Sequence, residues 1–279
     1  NGTAIVTDSG CDVPQALVER YQIIVVPLYV IWGDEELRDG WDIDSPAFYT
    51  RLARDPTHPK TSQPTPADFV RAIKRAEAQE VLVITLSAAL SGTYDSAVQA
   101  GNTVDLPVHV VDSRSLSMGL GWQVLAAARE RERGGSVEAM VAAAERVRDR
   151  VSLVLTLETL EYLHRGGRIG TAAKLLASAV QLKPVLEVDH TTGLLEVVSR
   201  IRTRRKAVAN IIEETFARVD GTRPMRAAVL HGAASDEAEA LVPQVERRGD
   251  LLELVVAEIT PALGVHAGPG VVGLCAYNE

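Results

Sequence analysis

Short apolar runs rich in β-branched residues alternate with segments of helical spacing through the first half of this chain. TAIVT at 3–7, VLVITL at 81–86 and VHVV at 108–111 are such runs. Helical patterns at 13–21, 45–54 and 68–79, and one opening at Ser91-Gly92-Thr93-Tyr94, lie between them. Strands without a polar face, separated by helices, predict a mostly parallel sheet with helices on both faces. Two of the strands end in the same dipeptide, Asp8-Ser9 and Asp112-Ser113, which marks a common carboxyl edge. In open α/β sheets that edge is where ligands sit.

A second apolar run covers 23–31, the text from 34 to 44 is polar with a turn, and the proline-rich 55–66 reads as an ordered loop or linker. Helices at 116–133 and 137–150 flank Gly134-Gly135, and a domain boundary is expected just after them. Beyond it come a strand at 153–157, a short helix at 160–165 stopped by Gly166-Gly167, and an unusually apolar helix at 172–181. Strands 185–188 and 194–201 flank Asp189-His190-Thr191-Thr192-Gly193, which reads as a hairpin. Helices at 203–219 and 235–247 and strands at 226–230, 251–256 and 271–276 complete a region of mixed topology. The 279 residues therefore divide into an amino-terminal α/β domain, 3–150, and a carboxyl-terminal mixed α/β domain, 151–279.

The formal charge of −8 argues against a nucleic-acid partner, because neutralising phosphates takes a basic surface. Cys11 and Cys275 form no C-x-x-C pair and the six histidines show no ligand spacing, so neither a metal nor a cofactor is expected. No apolar run approaches bilayer length and no signal peptide is recognised before the first strand, so a cytoplasmic setting without membrane insertion is expected. The Walker phosphate loop and the G-x-S-x-G elbow are both missing. Gly119-Leu120-Gly121 is half a dinucleotide fingerprint with Val124 at the third glycine position, and close helix packing explains it better.

Four segments gather hydroxyls, glycines and other polar groups beside apolar elements: Thr61-Ser62-Gln63-Pro64, Ser91-Gly92-Thr93-Tyr94, Gly166-Gly167-Arg168-Ile169 and His266-Ala267-Gly268-Pro269-Gly270. Each has a plain alternative, since Ser91 can merely cap a helix and Gly166-Gly167 can merely end one. Together, neutral donors at a strand-to-helix turn, beside apolar helices, suit an anionic head group with a greasy tail.

These motifs in this order resemble the DegV family of bacterial fatty-acid-binding proteins. The likeness rests on IVTDS, K-T-S-Q-P at 60–64, L-S-x-x-L-S-G-T-Y at 86–94, V-V-D-S with G-x-G at 110–121, L-x-x-L-x-x-G-G-R-I at 160–169, K-P-V-L at 183–186 and H-x-G-P-G at 266–270. It implies one long-chain fatty acid in a buried tunnel between two α/β domains, and no catalysis by the chain itself. A separate fatty acid kinase would receive the carboxylate and make an acyl phosphate for phospholipid synthesis. The carboxylate contacts would fall on Thr61, Ser62, Ser91, Gly92 and Thr93, with His266 orienting the hydroxyls and no paired cation in the cradle. The basic residues Arg165, Arg168, Arg200, Arg202, Arg204, Arg205 and Lys206 would then form a docking face, against the alternative of a solvated helix start and strand edge. A serine-dependent acyl hydrolase or acyltransferase using Ser91 and His266, and a lipid-responsive sensor, are the competing functions.

Overall fold

A computed structural model describes residues 2–176 and 182–279. The first half runs β1 (Thr3–Asp8), α1 (Gln15–Arg20), β2 (Ile24–Val26), β3 (Tyr29–Trp32), β4 (Glu35–Arg38), α2 (Ser45–Leu52), β5 (Lys60–Ser62), α3 (Pro66–Arg75), β6 (Glu80–Thr85), α4 (Thr93–Gly101), β7 (Val108–Asp112), α5 (Ser117–Glu132) and α6 (Val137–Arg148). The second half runs β8 (Ser152–Thr156), α7 (Glu161–Arg165), β9 (Lys183–Asp189), β10 (Leu194–Ile201), α8 (Arg204–Phe216), β11 (Pro224–Gly232), α9 (Ser235–Arg248), β12 (Asp250–Glu258), α10 (Pro261–Ala267) and β13 (Val271–Asn278).

The predicted parallel sheet is present with strand order β2-β1-β6-β7, every pair parallel. Val6, Val81 and Val83 pack under α3 and α4, while Ile5, Leu82 and Ile84 join the cluster that includes α5, so both faces are covered. This explains why the strands carry no polar alternation. The second sheet has order β10-β9-β8-β13-β11-β12 and is mixed: β11 and β12 run parallel, the other pairs antiparallel. The hairpin expected around 189–193 joins β9 to β10.

Several features depart from the sequence expectations. The run at 23–31 is two strands, because Pro27 and Leu28 separate β2, which joins the parallel sheet, from β3. The polar text at 34–44 and the proline-rich 55–66 contribute β4 and β5, which flank β3 in a small antiparallel sheet of order β4-β3-β5. Short edge strands of this kind lack the periodicity that reveals longer ones. Residues 170–175 form a 3-10 turn rather than the start of an α-helix, and the remainder of the helix expected at 172–181 falls outside the described residues from 177 onward.

One core bridges the two large sheets. Leu120, Trp122, Val124 and Leu125 of α5 are fully buried in a cluster containing Ile5 and Leu82 on one side and Leu153 and Leu155 on the other. The G-x-G pair makes this approach possible: a Cβ on Gly121 would lie 2.7 Å from the Cys11 carbonyl oxygen, and one on Gly119 would strike the Ser115 hydroxyl.

Candidate functional site

The two Asp-Ser dipeptides position the loop between β6 and α4. Asp8 at the end of β1 accepts the Leu86 N–H at 2.8 Å, and Asp112 at the end of β7 accepts the Ala88 N–H at 3.1 Å. Carboxylates from both neighbouring strands thus grip the chain just as it leaves the central strand. Gly92 then caps α4 without a side chain, and the turn delivers Ser91 to the carboxyl edge of the sheet. The Ser91 and Thr93 hydroxyls lie 2.9 Å apart, and the Thr93 N–H donates to Ser91 Oγ at 3.3 Å. Because Thr93 is fully buried, its hydroxyl has Ser91 as its partner.

The β5 strand brings the second hydroxyl loop against the first. A Cβ on Gly92 would come within 2.9 Å of Gln63 Nε2, so the two loops touch at a glycine. Thr61 is half-buried and its Oγ1 lies 2.8 Å from His266 Nε2; Ser62 is exposed and its hydroxyl reaches only the Gln63 carbonyl, at 3.4 Å.

His266 stands on α10, a helix that the sequence expectations did not include. Buried carboxylates fasten its start from outside the helix: Asp12 accepts the Thr260 N–H at 3.0 Å and Asp39 accepts the Ala262 N–H at 3.1 Å. These are orphan donors of a helix N-terminus, satisfied here by another part of the chain. Asp12 also takes a bond from Ser117 Oγ at 2.5 Å, and Asp39 one from Ser9 Oγ at 2.6 Å. Burial pushes Asp8 and Asp12 up to about 7 and Asp39 to about 6.

Burial, and then the Arg168 charge, hold the His266 imidazole down to about 4, so it is neutral at pH 7. Its Nδ1 is buried and has no hydrogen-bond partner among the described residues. The less costly tautomer leaves the bare nitrogen at Nδ1 and puts the proton on Nε2, which then donates to Thr61 Oγ1. Thr61 is left with its own proton to offer. The ring fits because residue 166 is glycine: a Cβ there would lie within bonding distance of Nδ1 and 2.7 Å from Cε1. Gly166 and Gly167 do end α7, with Gly167 at φ +70°, and Gly166 also makes room for the histidine.

Thr61, Ser62, Gln63, Ser91 and His266 line a single cavity whose remaining wall is mostly leucine: Leu28, Leu86, Leu90, Leu116, Leu155, Leu157, Leu163, Leu195 and Leu263. Leu155 and Leu195 stand on strands of the second sheet, Leu86 and Leu90 follow β6 at the carboxyl edge of the first, and Leu263 is on α10. The cavity volume is about 90 Å³, several times what one water needs, and its leucine walls favour an apolar occupant.

One expectation is corrected. The cradle is not free of cations, because Arg168 lines the same cavity, with its guanidinium bonded to the Leu90 carbonyl at 3.2 Å and the Gly166 carbonyl at 2.8 Å. The G-G-R-I motif contained this signal, since a residue two past a helix-ending glycine stays beside that helix end. Arg204 is half-buried and engaged with Glu237 at 3.0 Å and with the Gly270 carbonyl, so it braces the loop before β13. Arg165 pairs with Glu161 at the surface. Arg200, Arg202, Arg205 and Lys206 are exposed, with no carboxylate partner among the described residues.

The site does not have the layout of a serine hydrolase. His266 Nε2 meets Thr61 and not Ser91, and among the described residues no carboxylate or carbonyl orients Nδ1, as a general base would need. Among the described residues there is also no group of three or more metal-ligating side chains and no helix long and apolar enough to cross a membrane.

Comparison with known proteins bears on the family and the fold. The family profile described as "Uncharacterised protein, DegV family" matches residues 2–279. A DegV domain-containing protein of Streptomyces coelicolor is 40% identical over 281 residues, covering 99% of this chain and 98% of the relative. Among solved structures, a Thermus thermophilus DegV family protein described for its fatty acid binding superposes with a TM-score of 0.92 at 36% identity, covering 99% of both chains. DegV of Bacillus subtilis, described as a fatty acid binding protein, gives 0.90 at 29%, again covering 99% of both. A profile spanning essentially the whole chain, close relatives of equal length and a matching fold together establish that this protein belongs to the DegV family.

Proposed function

We propose that this protein binds one long-chain fatty acid, with its carboxylate at Thr61, Ser62, Ser91 and Gly92, with Thr93 and His266 behind them orienting the hydroxyls, and with its tail among the leucines between segments 3–150 and 151–279. The observation that carries this reading is a leucine-lined cavity whose wall also carries two hydroxyls, Thr61 and Ser91, each backed by a second polar side chain. His266 donating to Thr61, and Thr93 donating to Ser91, leave two hydroxyl protons free to meet two carboxylate oxygens. A neutral imidazole suits this role, since it fixes the hydroxyl without neutralising the head group. Arg168 then supplies a formal positive charge within the cavity wall. Each buried methylene contributes about 0.8 kcal/mol, so a long tail supplies on the order of ten before the costs of association.

The protein acts as a carrier without chemistry of its own and presents the carboxylate to a separate fatty acid kinase in the cytoplasm, for acyl phosphate formation and phospholipid synthesis. The exposed Arg200, Arg202 and Arg205, with Arg165 near the α7 end of the site, offer local positive charge to an acidic partner face. Fatty acid binding by the Thermus and Bacillus relatives supports the ligand class. Denaturing extraction followed by mass spectrometry, with native mass spectrometry for stoichiometry, tests the reading. One fatty acid per chain is expected; a chain that arrives empty and takes up no added fatty acid would overturn it.

A further inference from the structure

A second cavity lies far from the leucine-lined one, between α5 and α6 and against the end of β13. Four arginines line it: Arg129, Arg133, Arg146 and Arg150. The first two are four residues apart on and just past α5, the second two four apart on and just past α6. Like charges at that spacing repel along one helix, and here two such pairs from packed helices face one cleft. Each pair lies near its own helix C-terminus, where cations are favoured, but that preference is satisfied equally well by side chains directed away from each other.

The nearby carboxylates do not balance them. Glu253 accepts from Arg129 at 2.6 Å, yet the same oxygen also accepts from Arg226 at 2.6 Å, and Glu279 is engaged by Arg226 at 2.5 Å. Glu130 reaches Arg133 only at 3.4 Å. Arg146 and Arg150 are exposed and have no carboxylate partner among the described residues. Arg129 is the telling member, since its side chain is only 13% exposed while its Nη1 is buried without a hydrogen-bond partner. A buried guanidinium nitrogen left unpaired is costly, and a bound anion is the group that would satisfy it.

We propose that this cleft binds a phosphate group, with Arg129 as the buried anchor and Arg133, Arg146 and Arg150 closing over the remaining oxygens. Planar guanidinium forks match phosphate oxygens in pairs, and several of them on one side of an otherwise acidic protein select a multiply charged anion over chloride or a monocarboxylate. The site is separate from the fatty acid cavity: Leu116 lines that cavity, and Arg129 lies about 20 Å further along α5 at 1.5 Å per residue.

Isothermal titration of the full chain with pyrophosphate, inorganic phosphate and acetate tests this. One saturable pyrophosphate per chain is expected, with phosphate weaker and acetate showing none. The Arg146→Gln/Arg150→Gln double variant changes only exposed side chains and is expected to weaken pyrophosphate at least tenfold. An Arg54→Gln/Arg75→Gln variant removes the same charge elsewhere and is expected to bind as the parent does. Tighter binding of phosphate than of pyrophosphate would still support the site and would identify a single phosphate as its fit. No saturable binding, or equal weakening in both double variants, would overturn the proposal. Extracted fatty acid is expected to be unchanged in both variants, so failure here is distinguishable from failure of the carrier reading.

Discussion

Gly166→Ala isolates the histidine relay with a single methyl group. Gly166 has φ −78° and ψ −7°, a conformation alanine adopts freely, so the backbone contributes no strain. The added Cβ would nevertheless lie 2.7 Å from His266 Cε1 and closer still to Nδ1, where an ordinary contact starts near 3.4 Å. The ring must retreat by ~1 Å or more, enough to break the 2.8 Å contact with Thr61. Losing a hydrogen bond of this kind costs about 0.5–1.5 kcal/mol, and more where a desolvated group is left unpaired. At 1.4 kcal/mol per tenfold, fatty acid affinity is expected to fall about tenfold. The assay is displacement of a fluorescent fatty acid, with thermal melting to establish that the variant is folded. A double-mutant cycle supplies the refutation: in a His266→Ala background the same methyl should cost nothing further. Full affinity in a folded Gly166→Ala protein, or an equal loss in both backgrounds, would show that the histidine is not the intermediary.

Ser91→Ala removes the other relay and is expected to weaken binding about three- to tenfold with little change in melting temperature; Thr93→Val should act in the same direction through Ser91, both read by the same displacement assay. Leu155→Phe fills part of the cavity wall, so the lipid extracted from that variant should shift towards shorter tails by mass spectrometry. Stability should fall between pH 6.5 and 8. Asp8 and Asp12 titrate near 7 in the fold against about 4 unfolded, so the folded form binds more protons. Their contribution is complete below the unfolded value and is lost as pH rises through 7, by about 1–2 kcal/mol in total over this window. His266 acts oppositely: its contribution is full above about 6.5 and is lost as pH falls towards 4. Denaturant unfolding of Asp12→Asn at both pH values should show a drop reduced by roughly half; an unchanged drop would refute the assignment.

Long elements with strong periodicity were legible without coordinates. The valine- and isoleucine-rich strands β1 and β6 could only be buried between helices, and the hairpin around Gly193 announced itself by its turn residues. The hydroxyl loops stood out as well, although each also had a plain reading as a cap or a turn. What stayed hidden was short or distant. Three- and four-residue strands such as β5 are stabilised by partners brought from elsewhere in the sheet, not by their own pattern. The seven-residue α10 depends on Asp12 and Asp39, more than two hundred positions away, for the hydrogen bonds at its start.

The amino-acid sequence by itself thus determined the two kinds of sheet, the carboxyl edge at which Ser91 stands, and the set of hydroxyls and the histidine from which a head-group site could be built. Tertiary structure alone decided how they meet: that His266 faces Thr61 and not Ser91, that Arg168 lines the cavity while Arg204 braces a loop, and that four arginines from two helices share one cleft. The physical reason is range. Periodicity and turn chemistry act over a few residues and leave their mark locally, whereas burial, hydrogen bonding and charge act between side chains that only the packed chain brings within a few ångströms.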